Sequence, residues 1–268
     1  MLLLFVGFIP FYNLADSNIS PSGSRPLGMG NAFISQFDIS AAYHNQAGLA
    51  KIDSYSVSLL YENRFLLKEI SFRGILIVIP TKTVNFAFHY SVFGPTKWME
   101  SNISVACSKQ LSSMLSAGIQ INYFGIKLPE DGTTISSCGA ELGFIYQPSN
   151  NLFFGIHLAN PFSIPFITYS CNEKIVYRFR VGFHYLLSKE VQISIEAEKN
   201  KNITPLLKFG VEWEAVKNFY YRVGYNSGST KLFAGLGFQY RQLKTDYAFS
   251  YNQYLGFTPS LSITLNLK

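Results

Sequence analysis

Leu207-Lys208-Phe209-Gly210-Val211-Glu212-Trp213-Glu214 alternates strictly between a large apolar side chain and a small or charged one. Successive side chains of a β-strand point to opposite faces. Leu207, Phe209, Val211 and Trp213 therefore share one face, and Lys208, Gly210, Glu212 and Glu214 the other. The closing stretch repeats the pattern, with Leu261, Ile263, Leu265 and Leu267 set against Ser260, Ser262, Thr264 and Asn266. Val191, Ile193, Ile195 and Ala197 alternate likewise with Gln192, Ser194, Glu196 and Glu198. A fourth run sets Ile175, Tyr177, Phe179, Val181, Phe183 and Tyr185 against Arg178, Arg180, Gly182 and His184.

Extended to the rest of the chain, the period-two pattern predicts fourteen strands from Tyr55 onward. Their centres fall near residues 58, 74, 87, 105, 119, 141, 155, 180, 194, 210, 222, 236, 249 and 263. That leaves about 15 residues per strand and turn, and a bilayer-crossing strand takes roughly 9–11 of them. Turn chemistry sits between the runs, at Glu130-Asp131-Gly132, Pro148-Ser149-Asn150-Asn151 and Asn226-Ser227-Gly228-Ser229. Helical periodicity is absent from this region, so the body of the chain reads as all-β.

Composition narrows the class. Of 268 residues, 48% are apolar, 16% aromatic and only 14% charged, against about 25% charged in soluble domains. This is too apolar for a disordered chain, and no run approaches the ~18 apolar residues of a membrane helix. A soluble sandwich would also alternate, with an aliphatic face inward and a charged face outward. Here the apolar faces carry Tyr61, Tyr90, Tyr123, Tyr146, Tyr185, Tyr225 and Tyr240 near strand ends, as the aromatic girdles of a membrane barrel require. The opposite face is rich in Gly, Ser, Asn and Gln, which suits a lumen. An unpaired strand edge costs several kcal/mol per backbone group in hydrocarbon, so the sheet must close. The predicted fold is a closed antiparallel transmembrane β-barrel of about 14 strands, whose last strand pairs with the first near Tyr55 to Tyr61. Arg73, Arg178, Arg180, Lys208 and Arg222, with Glu141, Glu196, Glu198, Glu212, Glu214 and Asp246, are expected inside, where they fill and neutralise the lumen.

Residues 1–15 read as an export signal, an apolar run from Leu2 to Phe11 followed by small residues. No Lys or Arg precedes Arg25, so the basic start of such a signal is missing, and a buried strand is the alternative reading. Residues 16–54 do not alternate and are expected to form a short helical plug, followed by the barrel over 55–268. Asp38 and Ser40 are candidate N-caps for one short helix through Tyr43, ending near Asn45 to Gly48. The small residues Gly28, Gly30 and Ala32 allow close backbone approach.

The stretch SRPLGMGNAFISQFDISAAYHNQAGLAKI (24–52) resembles the opening of FadL-like outer-membrane barrels, in the branch that contains the PorV and PorQ proteins of type IX secretion. Those begin with Gly-Met-Gly-x-Ala, then a small-residue stretch and Asn-Pro-Ala-Gly-Leu. Matching positions are Gly28, Met29, Gly30, Asn31 and Asn45, Gln46, Ala47, Gly48; Gln46 stands where that family has proline. The terminal YLGFTPSLSITLNLK is similar to the barrel-closing strand of the same branch, although the last residue is Lys268 rather than an aromatic. The resemblance implies a Gram-negative, Bacteroidetes-like outer membrane as address and lipid as the surrounding medium.

Two functions follow. One is docking of secretion-machinery or cargo proteins, with the proline-braced cluster Phe162, Ile164, Pro165 and Phe166 as contact loop. The alternative is a passive channel for fatty acids or other hydrophobic small molecules, with Phe33, Phe37, Phe153 and Phe233 as candidate apolar lining. That channel also calls for a bulge or proline that opens the wall sideways, and Pro80 and Pro95 fall at strand ends. The net charge of +6 has no basic cluster behind it, so nucleic acid is not an expected partner. His44, His89, His157 and His184 lack metal-ligand spacing, as do Cys107, Cys138 and Cys171. No Gly-x-Ser-x-Gly elbow occurs. Neither cofactor nor catalytic set is expected, and the protein reads as non-enzymatic.

Overall fold

In the computed structural model, residues 21–128, 132–161, 177–200, 204–228 and 230–267 are described. Fourteen strands form the body: β1 (Tyr55–Asn63), β2 (Ser71–Ile79), β3 (Asn85–Phe93), β4 (Met99–Gln110), β5 (Leu115–Lys127), β6 (Thr134–Tyr146) and β7 (Leu152–Ala159). They continue with β8 (Arg178–Leu186), β9 (Val191–Asn200), β10 (Leu206–Val216), β11 (Phe219–Asn226), β12 (Thr230–Tyr240), β13 (Leu243–Asn252) and β14 (Gly256–Leu267). Each predicted centre falls inside its strand. Every strand pairs with its sequence neighbours, and β1 closes on β14 with Tyr55 opposite Leu267 and Tyr61 opposite Leu261.

Burial is inverted relative to a soluble protein. Ile121 on β5 is 65% exposed while its neighbour Asn122 is fully buried. Val223 on β11 is 63% exposed and Arg222 beside it 2%. The outer wall is thus the apolar phase of each strand, and the seven girdle tyrosines expected from sequence all lie on it. Water gives no reason to expose such a continuous apolar belt, whereas lipid does. The polar phase turns inward, including Arg178, Arg180, Lys208, Glu141, Glu196, Glu198, Glu212 and Asp246. Arg73 departs from the expectation, because it is exposed on the outer wall. Both faces of β2 are apolar, and the inward one (Phe72, Leu76, Val78) was needed to pack the interior. Glu214 lies only half-buried at the end of β10, where its Oε1 accepts from Asn218 N at 2.8 Å across the hairpin.

Among the described residues the sheet closes on itself, but β6 and β7 pair only from Tyr146 opposite Phe154 to Glu141 opposite Ala159, although β6 begins at Thr134. Register shifts among the described pairings occur only at Glu214/Val216 on β10 and Thr230/Leu232 on β12. Pro80 and Pro95 follow the ends of β2 and β3 rather than interrupting them. Below, the end of the barrel where β1 begins and β14 finishes is the terminal rim, and the opposite end is the far rim.

Candidate functional site

Residues 21–54 run inside the barrel. A five-residue helix, α1 (Ser24–Gly28), leads into two short 3-10 segments, Ile39–Tyr43 and Gln46–Lys51. Asp38 Oδ1 accepts from Ser40 N at 2.8 Å and so caps the first segment. The second corrects the expectation that structure ends near Asn45 to Gly48: Asn45 Oδ1 accepts from Ala47 N at 3.1 Å and starts a new turn. The Asn45 amide also donates to Ile34 O at 2.7 Å and Phe144 O at 3.1 Å, tying the plug to itself and to β6. Gln46 uses its side chain to donate to Glu141 Oε2 at 2.7 Å.

The plug passes the wall at backbone contact. A Cβ on Gly118, Gly143, Gly155, Gly210 or Gly224 would come within 2.6 Å of a plug atom. Gly30 fits in the reverse sense, with φ +64 and Tyr225 backbone atoms 2.9 Å from where its Cβ would lie. Met29 and Gly30 lie against the paired glycines Gly210 of β10 and Gly224 of β11, Asn31 follows with φ +62, and Gly28 meets Gly235 on β12.

Ion pairs hold the same surfaces. Arg25 donates to Glu212 at 2.7 and 2.9 Å and to Asp38 at 2.8 Å, a bidentate arrangement that suits guanidinium. Asp38 also accepts from Lys244 at 3.0 Å. Lys208 bridges Glu196 and Glu198, and Glu196 Oε2 accepts from the Phe33 and Ile34 amides at 3.0 and 3.1 Å. Burial alone would raise the Asp38 carboxyl, but Lys244 and Arg25 outweigh it and hold it well below the usual carboxylate range. Burial and then the Arg180 guanidinium push the His44 imidazole down to about 3.

The four expected lining residues separate. Phe37 and Phe153 meet edge to face at 5.9 Å, and Phe153 stacks on His184 at 4.2 Å. Phe33 packs on His44 at 5.4 Å, and Phe233 lies with Leu27 and Ala248. The loop cluster Phe162, Ile164, Pro165 and Phe166 lies outside the described residues. At the terminal rim an open cleft of about 640 Å³ is lined by Lys51, Asp53, Tyr55, Lys82 and Asn85 among others.

A second apolar region, absent from the sequence reading, lies inside the far rim. Phe72, Phe93 and Trp98 are in ring contact, at 5.2 Å for the first pair and 6.2 Å for the second. Beside them Trp98 packs on the buried trio Phe124, Ile126 and Ile135. Arg64 lies over Phe72 and Phe93 at 5.3 and 4.8 Å. The available signal is phase: Gln120, Asn122, Phe124 and Ile126 follow one another on the inward face of β5. An aromatic in the polar phase marks a wall patch that does not meet lipid.

The closed fourteen-stranded barrel shares its fold with solved toluene transporters and a FadL homologue. Among solved structures the chain is similar to the P. putida toluene transporter TodX, at TM-score 0.72 and 10% identity over 93% of this chain and 99% of that one. The Ralstonia pickettii toluene transporter TbuX gives TM-score 0.70 and 11% identity over 94% and 100%. A Pseudomonas aeruginosa FadL homologue gives 0.66 and 11% over 92% and 98%. No protein-family model and no curated protein matches the sequence.

Proposed function

We propose that the chain is a non-enzymatic outer-membrane barrel that passes hydrophobic small molecules, with both termini on the periplasmic side. The observation that carries this reading is the inward aromatic cluster at the far rim, Phe72, Phe93, Trp98 and Phe124. In a lumen rich in Ser, Asn, Glu and His, these rings offer an apolar molecule a matching surface. Structural neighbours described as toluene transporters support the same class. The docking role in type IX secretion rests on the sequence resemblance alone, and its contact loop lies outside the described residues.

The test is mass analysis of small molecules and proteins that accompany the full chain from native outer membranes, together with toluene titration in mild detergent. An apolar compound at near one per chain, and toluene binding weakened about tenfold by Phe93→Ala, is the expected result. Stoichiometric secretion or cargo proteins with no toluene binding would transfer the assignment to docking. Recovery only from the soluble fraction would overturn the barrel itself.

A further inference from the structure

The cleft at the terminal rim opens where the plug leaves the barrel and β1 begins. Its volume is about 640 Å³, between the plug exit (Lys51 to Asp53), Tyr55 and the β2–β3 turn at Lys82, with Asn85 behind them. Room of this order takes a small molecule rather than a single ion. Hydrogen bonds fix the walls. Asn85 Nδ2 donates to Leu49 O at 2.8 Å and to Ile52 O at 2.7 Å, and Asn85 Oδ1 accepts from Thr81 N at 3.2 Å. One buried side chain thus ties the plug exit to the turn. Thr81 Oγ1 accepts from Val84 N at 3.2 Å and braces the backbone around Lys82.

Three charged side chains line the cleft. Lys51 is engaged elsewhere, since its Nζ donates to Gln147 Oε1 and lies over the Phe37 ring at 4.4 Å. Lys82 and Asp53 are exposed, and among the described residues neither is ion-paired, with the other or with a third group. Opposite charges that share a cleft without pairing suit a ligand that carries both signs. The cleft also borders the lipid-facing wall. Tyr55 pairs with Leu267 and Ile79 with Phe86, and all four are exposed on the outer face. A tyrosine at a strand end marks headgroup depth, so a molecule seated in the cleft has an apolar wall beside it for its tail.

We propose that this cleft binds the headgroup of phosphatidylethanolamine, with the phosphate toward Lys82, the ammonium toward Asp53 and the acyl chains along Ile79, Phe86 and Leu267. Lysine is a compact point charge that suits a phosphate diester. Asp53 sets the preference: an ammonium brings it both charge and hydrogen-bond donors, a choline head charge without donors, and a glycerol head donors without charge. The inference concerns the outside of the barrel and is independent of what the lumen carries. Assignment of this rim to the phospholipid leaflet rests on the periplasmic orientation proposed above.

The reporter is a tryptophan introduced by Phe86→Trp on a Trp98→Phe, Trp213→Phe background, in the full chain reconstituted into phosphatidylcholine bilayers. Brominated phosphatidylethanolamine, phosphatidylglycerol or phosphatidylcholine is mixed in, and quenching gives the association of each relative to bulk lipid. Phosphatidylethanolamine should associate about fivefold more strongly than the other two, the factor that one charge contributes at a membrane surface. Lys82→Gln should return it to the bulk value, and Asp53→Asn should remove its lead over phosphatidylglycerol. Trp213, kept in a Trp98→Phe protein with the same substitutions, is the control: unchanged quenching by brominated phosphatidylcholine certifies insertion. Both leaflets carry the same lipid, so the assay reads the site whichever way the barrel is inserted. A preference for phosphatidylglycerol, equal association of the three lipids, or a lead that survives either substitution overturns the inference and leaves the channel reading standing.

Discussion

Gly224→Ala sets the tightest test of the plug. The added Cβ would lie 2.1 Å from Gly30 N, 2.4 Å from Met29 C and 2.7 Å from Gly30 Cα. All three are backbone atoms, so no rotamer relieves the clash, and the plug must retreat by ~1 Å to regain ordinary contact. Three and four residues beyond Gly30, the Phe33 and Ile34 amides are bonded to Glu196 at 3.0 and 3.1 Å. A shift of that size takes such bonds beyond their working range. Bonds to a charged acceptor are worth about 1.5–3 kcal/mol each, and partial relaxation leaves a net cost of about 2–4 kcal/mol. Hydrogen exchange of the plug amides should then accelerate about 30- to 700-fold, if opening of the plug limits their exchange. Gly74→Ala is the matched control, because its Cβ meets nothing closer than 3.5 Å. Exchange measured by mass spectrometry that rises equally in both variants, or in neither, would refute the close-packed plug.

Arg25→Met should loosen the same segment by about 2–3 kcal/mol: Glu212 keeps Arg222 and Asp38 keeps Lys244, so no carboxylate is left wholly unpaired. Plug-amide exchange in this variant checks the figure. His44, whose pKa is lowered by burial, binds its proton more tightly in the unfolded chain. The His44 contribution should therefore be complete above the unfolded value of about 6.5 and decline by about 2 kcal/mol at pH 5, so His44→Gln should lose that much less stability than the parent between pH 7 and 5 in urea titrations. Asp38 has a linkage of the same sign in a lower pH window, since its carboxyl is depressed by Lys244 and Arg25 against the effect of burial. Its contribution is constant above the unfolded value of about 4 and fades only in stronger acid, so Asp38→Asn should flatten the melting curve below pH 4 and not the limb at pH 5. In bilayers containing brominated lipid, Trp213 on the outer wall should be quenched in a Trp98→Phe protein, and Trp98 spared in a Trp213→Phe protein. Equal quenching would mean that the faces are misassigned.

The strands were legible because lipid and lumen demand opposite side chains, and Leu207 to Glu214 displays that demand residue by residue. Where both media are replaced by protein contact, the signal disappears. On β2, Phe72, Leu76 and Val78 face inward, with Leu76 and Val78 against plug residues such as Leu49, so alternation is lost and Arg73 reads as a lumen charge. The plug's small residues announced close approach, but not what they approach: Gly30 meets β11 nearly two hundred residues later. The far-rim cluster draws Phe72, Phe93, Trp98 and Phe124 from three strands and a turn, and no local window contains it. Phe37 and Phe153 meet and Phe33 and Phe233 do not, because which inward aromatics become neighbours is decided by register around the barrel.

Because the seam between β1 and β14 joins residues about two hundred positions apart, it is the costliest loop of the chain to close and belongs late in folding. The plug lies immediately before β1, yet its contacts reach β13 on the other side of that seam. With plug backbone so close to Gly210 and Gly224 that an added Cβ on either would lie under 3 Å from it, the segment is expected to be in place before the cylinder closes. The plug therefore acts as the mandrel around which the sheet is wound.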